Sequence, residues 1–168
     1  VLRNASTLDN SWGGSGLSLV NDQSAIDVTD LSFTAPEGRL ALYGRGLIGT
    51  LNTDVAVLTV VNSSTSDHAD VIVREADDLA IADYFGFDGR EGGLIVASGV
   101  LDLRLAAEGS ILTHRSGVIR TSGLSAMVLH ADDIDLRAGT DSVQGSGELI
   151  IRRPGLVWII PPGTMRAF

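Results

Sequence analysis

Paired aspartates are the residues of this sequence whose type and spacing come closest to a catalytic arrangement. Asp77-Asp78 and Asp132-Asp133 each place two carboxylates side by side, just before a short aliphatic segment. Acid–base cleavage of a glycosidic bond needs two carboxylates that face each other across a cleft. The competing interpretation places each pair at a corner of the chain, where its oxygens accept backbone N–H groups before the next strand.

Calcium is the cation that such oxygen-rich clusters would suit. The sequence contains neither an EF-hand pattern nor the Gly-Gly-x-Gly-x-Asp repeat of a calcium-binding β-roll. We therefore predict no metal and no cofactor, with calcium as the alternative. The acidic groups that would have to supply it are Asp83, Asp88 and Glu91, and Asp132, Asp133, Asp135 and Asp141.

The usual nucleophiles and bases are absent or scattered. The chain has no Cys and no Lys, which excludes thiolate zinc sites, cysteine nucleophiles and Schiff-base lysines. His68, His114 and His130 show no metal-ligand spacing, and no Ser lies in Gly-x-Ser-x-Gly. We predict no catalytic residue, and a protein that is not an enzyme.

Charge and hydrophobicity limit the class of partner. The net charge of −9 argues against nucleic acid, which needs a basic surface. The longest apolar run, Leu156–Ile160, is too short to span a bilayer.

An apolar content of 44% is enough for a folded core, and only 5% of residues are aromatic. This balance suits a core built from small aliphatic side chains rather than from large rings.

Short alternating segments are the main structural signal. Period-two alternation turns every second side chain to one buried face, and no stretch keeps a helical period. Leu40–Leu42, Val71–Val73, Leu101–Leu103, Met127–Leu129 and Leu149–Ile151 recur at roughly 22 to 30 residues, a spacing typical of solenoid coils. We predict an all-β protein, a parallel β-helix, with a β-sandwich as the alternative.

The organisation along the chain follows from where the alternation starts and stops. We predict a single solenoid domain over residues 1–168, with an irregular lead-in at 1–16. The aromatic, glycine-rich segment 84–93 is predicted to project as a loop, and residues 155–168 to form a terminal strand or cap. The continuous apolar run Val55–Val61 predicts a strand that is buried on both sides.

A short repeated motif, which we call the internal echo, carries a family resemblance. Glu75–Ile81 and His130–Leu136 both read x-Ala-Asp-Asp-aliphatic-x-aliphatic. Together with the Gly-, Thr- and Ser-rich alternation over roughly residues 40–153, this resembles the β-strand repeats of giant bacterial exported proteins, the filamentous-haemagglutinin-like adhesins. The resemblance implies a right-handed parallel β-helix, an extracellular or cell-surface location, and a role in adhesion or in a filament.

Two apolar segments are the candidates for contacts with a partner. An exposed apolar strand beside Pro161-Pro162 could add to the sheet of a second copy, or of a neighbouring repeat in a longer protein. It could equally cap its own stack, since solenoid ends must be covered. The predicted contact residues are Trp158, Ile159 and Ile160 in this strand, and Tyr84, Phe85 and Phe87 in the loop.

We therefore expect a structural or adhesive module that acts through coil stacking, end-to-end contacts or loop contacts. The alternative is a carbohydrate-binding or carbohydrate-cleaving β-helix with an acidic cleft around Asp132, Asp133 and Asp135, and with a glycan or a host surface as partner. Asn52-Thr53-Asp54 is similar to a motif of glycoside-cleaving β-helix enzymes, but the Gly-His-Gly and Arg-Ile-Lys signatures of the polygalacturonases are missing.

Overall fold

Strands joined by turns make up the computed structural model, which describes residues 16–81, 95–114, 118–136 and 143–163. No helix occurs in these ranges, in keeping with the short alternating segments and the frequent glycines. The strands are β1 Leu17–Asn21, β2 Ile26–Asp27, β3 Ser32–Gly44, β4 Leu47–Ile48, β5 Leu51–Asn62, β6 Val71–Glu75, β7 Leu79–Ile81, β8 Ile95–Ala97, β9 Leu101–Leu105, β10 Ile111–His114, β11 Ile119–Thr121, β12 Met127–His130, β13 Asp133–Asp135, β14 Val143–Gln144, β15 Leu149–Arg153 and β16 Leu156–Ile160.

The most regular stack of parallel strands forms what we call face B. It contains the first halves of β3 and β5, followed by β6, β9, β12 and β15. Val71, Leu101, Met127 and Leu149 are successive register partners, so successive coils add 30, 26 and 22 residues. The predicted solenoid spacing is confirmed for these four strands.

A second parallel stack, face A, contains β1, the second halves of β3 and β5, β8, β11 and β14. Leu40 pairs here with Leu17 and Leu58. The prediction that Leu40–Leu42 corresponds to Val71–Val73 is therefore wrong, because the two segments lie on different faces. Alternating aliphatic triplets occur on every face, so their letters alone do not reveal the face to which they belong.

A third stack, face C, contains β7, β10 and β13, and touches β5 at Val57. Leu79 and Ile134 both pair with Leu112, one from each side. The two halves of the internal echo therefore occupy the same place on face C, two coils apart. The echo in the sequence reports a true structural repeat.

The three faces enclose one aliphatic core. Leu51, Val73, Leu103 and Leu129 follow one another in register down the inside of face B, and all four are fully buried. Among the described residues every strand pair is parallel except β15 with β16. This pairing excludes the β-sandwich alternative and defines an all-β, parallel β-solenoid of about five turns.

The predicted burial of the continuous apolar run Val55–Val61 on both sides is confirmed only in part, since Ala56, Val57 and Val61 are partly exposed. Leu58, Thr59 and Val60 are consecutive and all buried, so this part of the strand is covered on both sides. β5 is long because it passes through all three faces, pairing with β6, β7 and β8 in turn. The single-domain organisation stays a prediction, and the lead-in up to residue 15 and the loop 84–93 lie outside the described residues.

Candidate functional site

The C-terminal end of the solenoid is closed by a tight hairpin. Arg153 pairs with Leu156 across the two-residue turn Pro154-Gly155. Gly155 has a φ of 71°, the conformation that a type II turn requires after a proline. The hairpin folds β16 back along β15, so the last strand of face B among the described residues is antiparallel.

β16 presents apolar side chains to solvent at this end. The predicted terminal strand is thus present, and it both pairs with its own stack and remains exposed. Large aliphatic and aromatic side chains are normally among the most buried in a protein. The exposed fractions of these residues are 41% for Leu156, 54% for Val157, 51% for Trp158 and 60% for Ile159.

An open groove of about 800 Å³ separates β16 from the last strand of face C. Trp158 is opposite Ile151, an inward position on β15, so Trp158 lies on the groove side of the hairpin. Asp133 and Asp135 of β13 line the other wall. The structure therefore brings together one predicted contact residue and two acids of the predicted cleft, which sequence reasoning had placed in separate hypotheses.

The paired aspartates lie at corners and accept backbone N–H groups. Asp78 Oδ1 accepts a hydrogen bond from the Ile111 N–H of the next coil at 2.7 Å. Asp132 Oδ2 accepts one from the N–H of Gly109. These bonds confirm the corner interpretation of both pairs. Asp133 in addition forms an ion pair with Arg153 at 3.2 Å.

Sequence reasoning missed a buried carboxyl group at the corner after β6. Glu75 is 1% exposed and points into the solenoid beside Thr53 of the preceding coil. The Thr53 hydroxyl donates to Glu75 Oε2 at 2.7 Å, and the N–H groups of Val55 and Ala76 donate to Oε1 at 3.2 and 2.9 Å. Val71 and Val73 face inward in β6, and the same alternation carried one step further predicts that Glu75 also faces inward.

Burial raises the pKa of Glu75 to about 7, although its three hydrogen bonds oppose the rise. Carboxylate oxygens of Asp54, Glu75 and Asp77 lie within 4.8 Å of one another. Desolvation and the nearby charges of Asp54, Asp78 and Glu37 raise the pKa of Asp77. Because protein donors already occupy Glu75, we assign this corner a structural role.

The other predicted site residues are scattered or lie outside the description. Within the described residues, Asp132, Asp133 and Asp135 form no cluster close enough to share a cation. His68, His114 and His130 belong to no group of possible metal ligands among the described residues. Predicted residues outside the described ranges are the loop contacts Tyr84, Phe85 and Phe87, and the acids Asp83, Asp88, Glu91 and Asp141.

The fold and these sites define the chain as a parallel β-solenoid protein. No protein-family model matches the chain, and neither the curated proteins nor the solved structures contain a significant match. In the part of the chain that the structure describes, no helix has the length and apolar character needed to cross a membrane.

Proposed function

We propose that this chain is a structural module of an exported bacterial surface protein or filament, and that its solenoid stacks head to tail with further copies. The observation that carries the proposal is β16, an uncharged apolar strand at the end of the stack with side chains about half exposed. Edge strands are usually protected by Lys, Pro or inward-pointing charge, and the segment Leu156–Ile160 contains none of these.

The other end of face B offers a matching edge. The segment of β3 from Ser32 to Ala35 pairs with β5 on one side, and within the described residues no strand pairs with its other side. Its inward residues Phe33 and Ala35 belong to the hydrophobic core. A second copy placed there would extend both the hydrogen-bonded sheet and the core, as one coil extends the next.

The charges of the two ends favour a second copy as the partner. The described residues 16–38 contain four acids and no base. The described residues 143–163 contain Arg152 and Arg153 against one acid, Glu148. Opposite charges favour the meeting of unlike ends and disfavour the meeting of like ends. A contact between unlike ends repeats without closing and produces a filament.

Placement at a bacterial surface draws its support from the repeat resemblance described above. The absence of Cys is compatible with that location, and a stiff rod of stacked coils suits a spacer or adhesive stalk. The loop 84–93 is proposed as a second contact surface on the strength of its Tyr and Phe content.

Sedimentation velocity over a range of protein concentrations, together with negative-stain electron microscopy, tests the stacking. We expect assemblies that grow with concentration, and rods in the images. The variants Val157→Lys and Ile159→Lys should shift the protein to monomers, because Lys on an edge strand blocks pairing.

Leu124→Lys is the matched control, since Leu124 is 79% exposed in a turn that belongs neither to β16 nor to the edge of β3. It should assemble like the original chain. A protein that is monomeric at every concentration, or a control that abolishes assembly equally, would overturn the proposal.

Binding of a neutral glycan in the terminal groove is the second candidate function. Trp158 on one wall and Asp133 and Asp135 on the other provide a ring surface and hydrogen-bond acceptors for sugar hydroxyls. Screening against an array of neutral glycans tests it. Trp158→Ala should abolish a true hit and Leu124→Ala should not, and an array without hits would remove this candidate.

A further inference from the structure

Basic side chains form a row along the outer surface of face B. Arg74, Arg104, His130 and Arg152 are successive register partners on β6, β9, β12 and β15. Leu103, next to Arg104 in β9, is fully buried, so alternation turns the arginine outward. We call these four residues the basic row.

Such a row is unfavourable unless an anion compensates it, because like charges on directly paired strand positions repel. Within the chain Asp102 compensates one part of the row. Its carboxylate bonds Arg104 at 2.8 Å and Arg74 at 3.2 Å. Burial alone would raise the pKa of Asp102, but the bonds and charges of these two arginines outweigh it and lower the pKa.

The C-terminal part of the row has no such compensation. Arg152 is exposed, and among the described residues it makes no ion pair. The row thus carries three arginines against Asp102 alone, on a chain whose net charge is −9. A positive strip on an acidic protein attracts a narrow anionic chain that stays on the strip, while the acidic rest of the surface repels a broad polyanion that would also face it.

We infer that the basic row binds a linear acidic polysaccharide laid along the solenoid axis, with its anionic groups facing the arginines. Neighbouring strands of a sheet are about 4.8 Å apart, which is close to the length of one pyranose unit. Arginine recognises planar carboxylates with paired N–H donors. Asp102 already binds Nε and Nη2 of Arg104 and Nη2 of Arg74, so these two arginines offer a ligand their remaining N–H groups, and the exposed Arg152 offers paired donors.

Nucleic acid fits the same surface less well. The phosphates of a duplex are much denser, one charge per about 1.7 Å of axis, and the acidic remainder of the surface would face them. The inference and head-to-tail assembly share one residue, Arg152, which also contributes to the positive charge of the C-terminal end. Arg104 belongs to the basic row only, so Arg104→Gln separates the two.

Titration calorimetry with alginate oligosaccharides of defined length, in 50 mM NaCl, tests the inference. We expect binding that weakens steeply with added salt, and no binding of neutral dextran oligosaccharides. The double variant Arg104→Gln/Arg152→Gln should lose at least about tenfold in affinity, because charge-assisted hydrogen bonds are lost. If that variant fails to fold, Arg152→Gln alone replaces it.

Arg120→Gln is the matched control, since Arg120 is an exposed arginine on face A with no place in the basic row. Its affinity should stay within about twofold of the original. Absence of alginate binding, an equal loss in the control, or a preference for single-stranded DNA of equal length would each overturn the inference.

Discussion

The middle coils and the C-terminal coil use the same kinds of residue but bury them differently. Leu103 in β9 faces inward and is fully buried, while Trp158, which also faces inward in β16, is 51% exposed. β9 has a parallel partner on each side, β6 and β12, whereas β16 pairs with β15 alone in the described residues. Burial in this fold therefore depends on whether another layer follows, and much less on how apolar a strand is.

The largest expected effect is the loss of an aliphatic side chain from the middle of the stack. Leu103→Ala should lower the free energy of unfolding by about 3 to 4 kcal/mol, because it leaves a cavity that neighbours above and below cannot fill. Urea unfolding followed by circular dichroism measures it. A loss below about 1 kcal/mol would mean that the middle coils are no better packed than the end.

The next effect concerns the buried carboxyl group of the middle coils. The pKa of Glu75 is about 7 in the folded chain, against an ordinary value of 4.5. The folded state binds this proton more tightly than the unfolded state, so the stabilisation is complete below pH 4.5 and is lost as the pH rises to about 7. The loss should amount to about 3 kcal/mol.

Glu75→Gln isolates this contribution, since glutamine keeps the acceptor for Val55 and Ala76 and does not titrate. Urea unfolding at several pH values between 4 and 8 should show a flatter profile for the variant than for the original chain. Glu108→Gln, an exposed acid, should leave the profile unchanged. Parallel profiles for the original chain and the Glu75 variant would contradict the assigned role.

A smaller effect is expected where a side chain joins two coils at a corner. Asp78→Ala removes the acceptor for the Ile111 N–H and should cost about 1 kcal/mol, because that N–H is then left to compete for water. Asp67→Ala, at an exposed turn, is the comparison and should be neutral. If the two variants lose the same thermal stability, the hydrogen bond between Asp78 and the Ile111 N–H does not stabilise the fold.

The smallest expected effect on stability is at the C-terminal strand. Ile159→Ala should change the free energy of unfolding by less than about 0.5 kcal/mol, because the side chain is already mostly in water. The measurement is made on the monomer, at low protein concentration. A loss of stability close to that of Leu103→Ala would show that β16 is packed like an internal strand. It would contradict the difference between the middle coils and the C-terminal coil.

The sequence was informative wherever a local pattern repeats. Alternation and spacing predicted an all-β solenoid, and the Ala-Asp-Asp echo identified two strands at the same place on face C. The aspartate corners followed from the known preference of Asp for backbone N–H groups. Leu40–Leu42 was assigned to the wrong stack, because an aliphatic triplet looks the same on every face.

The candidate sites depended on residues that are distant in the chain. Nothing near Glu75 in the sequence indicates that Thr53 lies within 2.7 Å of it, one coil away. The basic row likewise joins residues separated by whole coils of unequal length, 30, 26 and 22 residues. Because the coils differ in length, no constant sequence period reveals such rows.

By itself the sequence determined which residues alternate, how often a coil returns and that no helix competes, because these depend on the local backbone and its nearest side chains. Tertiary structure alone decided which residues share a face, which carboxyl group is sealed from water and which apolar strand is left exposed. The physical reason is that burial and electrostatic environment come from the neighbouring coils, and register between coils is fixed only when they stack.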